Sequence, residues 1–426
     1  MTRHSFLIIL RFNKDDDQNP LRCGVIDQSG KFKQMAHGHA SLVVGIVDPS
    51  MRSAMTPMMM IPLTGPTWRL YNKVLKAVED LNGLYRGANG YLRDPTSLNN
   101  AQSRLVLRSI ENVGHTIFDM LKSSDDSAAV CNWLDSLFRD YERRGPAAEE
   151  TAHHVTIVTN DFSIPWYWLV AHDLFLCEIV ALGVLQLSSY YAGYRGAADP
   201  AGLAKVAREN LFKALLINGS PDLPFARAEL DAVMAGLAGN ASDSDGVSRV
   251  ASQEVSTKRM LKDLWNNTKL GERVEQYRVV HFTGHYSSGT LMIGDEEIEA
   301  NEELDQFVDH SVLVLDGCSS SEGLKAWTDM DTVTARLIHA GAIGCVVTAL
   351  PLKNDPLITE WFWKAFYEKL RIKGTSVGQA LLHARAVLKD RLEEQDVSNP
   401  AWLYYQLVVN PTVDLFAESV EWAGPR

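Results

Sequence analysis

Two short stretches decide how the chain is read: YRVVHFTGH at residues 277–285 and SVLVLDGC at residues 311–318. Each is an apolar, β-branched run that ends in a glycine followed by a reactive side chain. The pairs are Gly284 with His285 and Gly317 with Cys318. Apolar runs of this length without polar alternation are typical of strands covered on both faces, and a glycine at the end lets the backbone turn sharply. In open α/β sheets, ligands and chemistry gather at the carboxyl ends of strands. The 33 residues from His285 to Cys318 leave room for one connection and a second strand, so both can reach the same sheet edge.

The same pattern continues outward. Further strands are expected at HVTIVTN (154–160), LFKALLING (211–219), AIGCVVTAL (342–350) and WLYYQLVVN (402–410). Helical periodicity falls at 226–237, 258–270, 331–340, 360–370 and 376–389, and IPWYWL (164–169) is an aromatic packing element. Alternating strands and helices predict an α/β fold with a mostly parallel sheet covered on both faces. Upstream, strands are expected at 6–10 and 41–47, with a turn at Asp27–Gly30 between them. Met51, Met55, Met58, Met59 and Met60 crowd a proline-rich loop, and helices follow at 68–84, 103–121 and 128–138. The charged stretch ERRGPAAEE (142–150) divides the chain into an N-terminal α+β extension, 1–148, and a larger domain, 149–426. The extension is expected to regulate or dock, or to be a degenerate half of the same fold.

Composition narrows the function classes. The 426 residues are 46% hydrophobic and 22% charged, with a formal net charge of −12. That balance describes a globular chain and disfavours nonspecific binding to phosphate backbones. Five widely spaced cysteines with no CxxC pair build neither a disulfide framework nor a zinc site, and indicate a reducing cytoplasm. The opening MTRHSFLIILRFNKDDD has too short an apolar run for a secretory leader. Residues 174–187 carry Glu178 and are too short to span a bilayer. No GxxxxGK[ST] or strand-coupled GxGxxG occurs, so no nucleotide cofactor is indicated, and no metal. His281, four residues before His285, is expected to be a packed histidine, since no carboxylate–histidine set at zinc spacing accompanies it. His153, His154 and Cys345 are expected to be structural, and Trp166, Trp168, Trp361 and Trp363 to pack helices on the sheet.

A thiol beside an imidazole is a nucleophile with a proton acceptor. Backbone N–H groups near Cys318 and after His285 are positioned to bind an oxyanion whatever side chains they carry. The strings VVHFTGH, LVLDGCSSS, GAIGCVVTALPLKND, SVGQALLHARAVL and NPAWLYYQLVVN, in that order, resemble the CHAT branch of caspase-like cysteine peptidases. GCSS also resembles the nucleophile turn of separases, and VTIVTNDFSIPWYWL and LPFARAELDAVMAGL resemble the family's opening strand and first helix. The resemblance spans about residues 150–415. It implies a caspase-like three-layer α/β/α sandwich with His285 as general base, Cys318 as nucleophile, and Gly284 and Gly317 shaping their turns. Two departures stand out. Tyr286 occupies a position where the family has glycine after the catalytic histidine, and Pro351–Leu352 stands where separases have Trp-Asp. Asp316 and Asp355 are then the candidate acids for reading a substrate side chain.

The function so implied is a cysteine endopeptidase that cleaves a specific protein, without cofactor, nucleic acid or membrane. The family resemblance further implies bacterial antiviral or cell-death defence, with a sensor that activates the enzyme and an effector substrate such as a gasdermin-like pore former. Two alternatives are a catalytically silent scaffold that binds protein partners on the same sheet, and a small-molecule thiol hydrolase on a flavodoxin-like sheet.

Overall fold

The computed structural model describes residues 6–9, 23–26, 32–34, 41–47, 59–62, 65–86, 100–123, 128–145, 152–159, 164–186, 211–222, 224–238, 249–270, 277–287, 290–299, 304, 307, 311–318, 337, 342–348, 356–372, 374–408 and 415. The chain opens with β1 (Phe6–Ile9), β2 (Cys23–Ile26) and β3 (Phe32–Gln34), which form a small antiparallel sheet. There follow β4 (Ser41–Val47), β5 (Met59–Pro62), α1 (Gly65–Arg86), α2 (Asn100–Lys122) and α3 (Ala128–Arg144). Next come β6 (His154–Thr159), a 3-10 turn at Trp166–Trp168, β7 (Val170–Ala171), β8 (Leu174–Phe175), α4 (Leu176–Ile179) and β9 (Ala181–Gln186). The remainder runs β10 (Leu211–Asn218), α5 (Pro224–Ala238), β11 (Arg249–Val255), α6 (Lys258–Leu270), β12 (Val279–Ser287), β13 (Thr290–Ile293) and β14 (Glu296–Glu299). It closes with β15 (Val312–Cys318), β16 (Gly344–Thr348), α7 (Pro356–Leu370), α8 (Val377–Glu394), a 3-10 turn at Pro400–Leu403 and β17 (Tyr405–Val408).

Eight strands make the central sheet, in the order β11-β10-β12-β15-β16-β17-β9-β6. All neighbours in it are parallel except β16 and β17. The sheet is therefore two parallel blocks of opposite direction. The carboxyl ends of β10, β12 and β15 share one edge, and those of β17, β9 and β6 share the other. The connections β10–α5–β11 and β11–α6–β12 run in opposite directions along the sheet. Right-handed crossover then puts α5 and α6 on opposite faces, which produces the expected three-layer α/β/α sandwich. Helix α7 packs on α5 and α8 on that first face. Val279, Val280 and Phe282 in β12 and Val312 through Leu315 in β15 are buried, the pattern that their unbroken apolar runs predict.

Local chemistry sets the helix that closes the second block. Ser376 caps α8: its Oγ accepts from Gln379 N at 3.2 Å, and Gln379 Oε1 accepts from Ser376 N at 3.0 Å. The same hydroxyl lies 2.7 Å from His154 Nε2, which ties the start of α8 to β6 and gives His154 its structural role. Farther along α8, the buried Arg385 donates to the carbonyl oxygens of Cys177 and Tyr405 and lies over the Tyr167 ring, 4.9 Å from its centroid.

Several expectations change. The break placed between residues 148 and 149 does not separate two sheets, because β4 pairs antiparallel with β6 (Ile46 opposite Ile157) and β5 continues the sheet beyond it. Strand pairing among the described residues of the extension is antiparallel. Met59 and Met60 lie in β5, whereas Met51, Met55, Met58 and most of the helix expected at 331–340 lie outside the described residues. The apolar stretch at 174–187, weighed above against a membrane span, is β8, α4 and β9. No helix among the described residues is long and apolar enough to cross a membrane. Trp166, Trp168 and Trp363 are buried in the core, and so are Cys131, Cys177 and Cys345. Burial pushes the Cys177 thiol up to about 12, which leaves it inert.

Candidate active site

Adjacent strands β12 and β15 carry the two reactive residues in direct register. His285 is the Cα partner of Cys318, Gly284 of Gly317, and Thr283 of Asp316. Neighbouring strands lie about 4.8 Å apart, so the backbones of His285 and Cys318 stand side by side at the carboxyl edge. His285 is exposed.

The turn after β10 braces the His285 end. Gly219 N donates to Thr283 O at 2.7 Å, and His285 N donates to Ser220 Oγ at 3.2 Å. Beyond His285 the chain pairs Tyr286 with Leu291 of β13, and Gly294 N, in the turn between β13 and β14, donates to Gly219 O at 2.8 Å. This bracing requires two glycines in contact. A Cβ on Gly284, whose φ is +155°, would stand 2.8 Å from Gly219 Cα. One on Gly219 would stand 2.4 Å from Met292 O and 2.6 Å from Phe282 Cζ. Gly219→Ala is therefore expected to cost about 1–3 kcal/mol through overpacking, read as a lower urea midpoint at unchanged slope. An unchanged midpoint would show that the turn yields freely.

The expected site residues separate as follows. Gly284, His285, Gly317 and Cys318 come together on paired strands, and Tyr286 takes its place in the hairpin ladder. Asp316 is not a rim residue. It is 0% exposed, its Oδ2 accepts from Trp363 Nε1 at 2.6 Å and from Tyr405 Oη at 3.1 Å, and α7 covers it, so it does not read a substrate side chain in this structure. Asp355 lies outside the described residues.

Three residues were not anticipated. Ser220 braces the His285 backbone from the neighbouring strand. Glu229 of α5 is 0% exposed and pairs through Oε1 with His281 Nε2 at 2.7 Å. Tyr367 of α7 places its hydroxyl 2.8 Å from His281 Nδ1, so His281 is the packed, partnered histidine expected. Glu229 had a legible signal: it shares the helical stripe of Ala226, Leu230, Val233 and Leu237, all buried, where a carboxylate needs a partner. Among the described residues, no group of three or more His, Cys, Asp or Glu is arranged to hold a metal ion.

The CHAT domain family model matches residues 130–425, over two thirds of the chain. The chain belongs to the CHAT domain family. Its match opens inside α3, ahead of residue 149, so that helix counts with the CHAT domain. No curated protein matches this CHAT chain. Among solved structures it is similar to the Arg-specific cysteine proteinase gingipain R, with 10% identity over 81% of this chain and 76% of that one at a TM-score of 0.39. It is also similar to a solved protease, with 10% identity over 60% of each chain at a TM-score of 0.41. Membership brings the caspase-like class of fold; the roles of single side chains rest on the geometry of this CHAT chain itself.

Proposed function

We propose that the chain is a cysteine endopeptidase with Cys318 as nucleophile and His285 as its acid–base partner. The observation that carries this is the direct register of His285 with Cys318 at the carboxyl edge of two parallel strands, in a chain of the CHAT family. The Cys318 sulfur attacks a peptide carbonyl carbon as its proton passes to His285. The tetrahedral intermediate collapses when His285 returns that proton to the departing amine nitrogen, breaking the C–N bond and leaving an acyl-enzyme thioester. Water, losing a proton to His285, then attacks the thioester and releases the acid and the thiol.

The substrate is a specific cytoplasmic protein, and the family resemblance supports a defence setting in which a sensor activates the enzyme and an effector, such as a gasdermin-like pore former, is cut. The test is to co-express the chain with its neighbouring gene products, with Cys318 intact or as Cys318→Ala, and look for a discrete fragment by mass spectrometry. A fragment that depends on Cys318 supports the peptidase. Identical processing in the variant overturns it, and partner binding without any cleavage points to the scaffold instead.

A further inference from the structure

Beneath His285 and Cys318 lies a set of buried polar side chains that the proposed chemistry leaves unused. Glu229 on α5, His281 and Thr283 on β12, and Asp316 on β15 are all 0% exposed. One carboxyl, Glu229, holds two positions of β12, because its Oε1 lies 2.7 Å from His281 Nε2 and its Oε2 accepts from Thr283 Oγ1 at 2.8 Å. Thr283 is the register partner of Asp316, and the two stand two residues short of His285 and Cys318. Asp316 Oδ2 is filled by Trp363 and Tyr405, while Asp316 Oδ1 receives no donor among the described residues. The carboxyl acting on Asp316 is that of Glu229.

Two carboxylates side by side in a dry interior repel and lose hydration, so such a pair retains a proton. The hydrogen bonds say which one holds it. Both Glu229 oxygens already accept, Oε1 from His281 Nε2 and Oε2 from Thr283 Oγ1. Asp316 has the open oxygen. With Tyr367 donating to His281 Nδ1, the His281 Nε2–H points to Glu229, and His281 stays neutral because burial pushes it down to about 4. The T-shaped contacts of the His281 ring with Trp363 and Tyr367, at centroid distances of 5.1 and 5.7 Å, fix its orientation.

We propose that Glu229, His281, Thr283 and Asp316 are positioning residues for His285 and Cys318, with Asp316 held as a neutral acid that donates to Glu229 and ties β12 to β15 just below the reacting ends. This rests on the assignment of His285 and Cys318 as the dyad, and the test separates the two ideas. The probe is iodoacetamide: the rate at which it alkylates Cys318 in the folded full-length chain is followed against pH by peptide mass spectrometry, so no substrate is needed.

In the wild type a partnered thiolate gives a midpoint well below the ordinary thiol value of about 8.5. His285→Ala moves it up toward that value. Thr283→Val exchanges one hydroxyl for a methyl of the same shape, and Glu229→Gln removes the charge that receives the proton. Each is expected to raise the midpoint by about half a unit or more, on the scale of a displaced hydrogen-bonded partner. Asp316→Asn keeps an oxygen for Trp363 and Tyr405 and an N–H for Glu229, and so should hold the wild-type profile. Asp316→Ala removes both and should follow Glu229→Gln; if it does not fold, Thr283→Val still decides. The proposal is overturned if His285→Ala shifts the profile while Thr283→Val and Glu229→Gln leave it in place. It also fails if Asp316→Asn shifts as far as Glu229→Gln. An unmoved His285→Ala profile overturns the dyad, and with it the positioning role.

Discussion

Cys318→Ala is expected to leave the partner protein uncut, a loss of at least about a thousandfold in rate, and His285→Ala to do nearly the same. The double variant should be no worse than either single one. A nucleophile and its proton acceptor act as a unit, so removing one disables the other, and their effects do not add. The register underlies this prediction, since the two residues sit on paired positions of adjacent strands. His285 is exposed, so the unfolding free energy of His285→Ala should stay within about 0.5 kcal/mol of wild type. A His285→Ala protein that cuts at the wild-type rate would defeat the assignment. Additive losses in the double variant would show that the two residues serve separate steps.

The second large effect is on stability against pH. Burial raises both carboxyls, and the Glu229 charge drives Asp316 further above the carboxylate range. A carboxyl raised on folding contributes stability that is complete below its unfolded value, about 4.5 for Glu and 3.8 for Asp, and lost as pH climbs through the folded one. His281 acts in the opposite sense: lowered to about 4, it contributes stability above its unfolded value of 6.5 that fades as pH falls. The two trends oppose each other between about 4.5 and 6.5, and above 6.5 only the carboxyl pair acts. Stability should therefore fall between pH 6.5 and 8, by about 2 kcal/mol for a single proton at 1.4 kcal/mol per unit. Tyr367 and Tyr405 are the other titratable groups facing the pair, and burial raises Tyr367 further. Asp316→Asn should remove most of the slope, because its amide donates to Glu229 at every pH. Urea curves at pH 6.5 and 8 on both proteins measure this, and parallel slopes would rule out a shared proton.

The strands at 277–285 and 311–318 were legible because their burial is continuous and each ends in a glycine, a pattern that survives without knowledge of any partner. The hairpin β13–β14 was missed although Leu291, Ile293 and Ile298 alternate about a Gly294–Asp295 turn, because the acidic run 295–297 masks the alternation. Strand β11 was missed for the opposite reason: it lies at the sheet edge with Ser252 and Gln253 exposed, and carries little apolar signal. Asp316 was misassigned because closeness to Cys318 in sequence says nothing about what covers it. Trp363, which buries it, comes 47 residues later, and Glu229 and His281 are 52 apart. Such partners are set by how α5 and α7 pack on one face, and no local pattern encodes that.

The glycine contact between residues 219 and 284 has a mechanical consequence. The turn after β10, the end of β12 and the tip of the hairpin are joined by backbone hydrogen bonds through Gly219, with Ser220 holding the next amide. These hydrogen bonds brace the His285 end of β12 from the side of β10. A ligand bound at that end would meet backbone whose ordering entropy was lost when the protein folded, and not at the moment of binding.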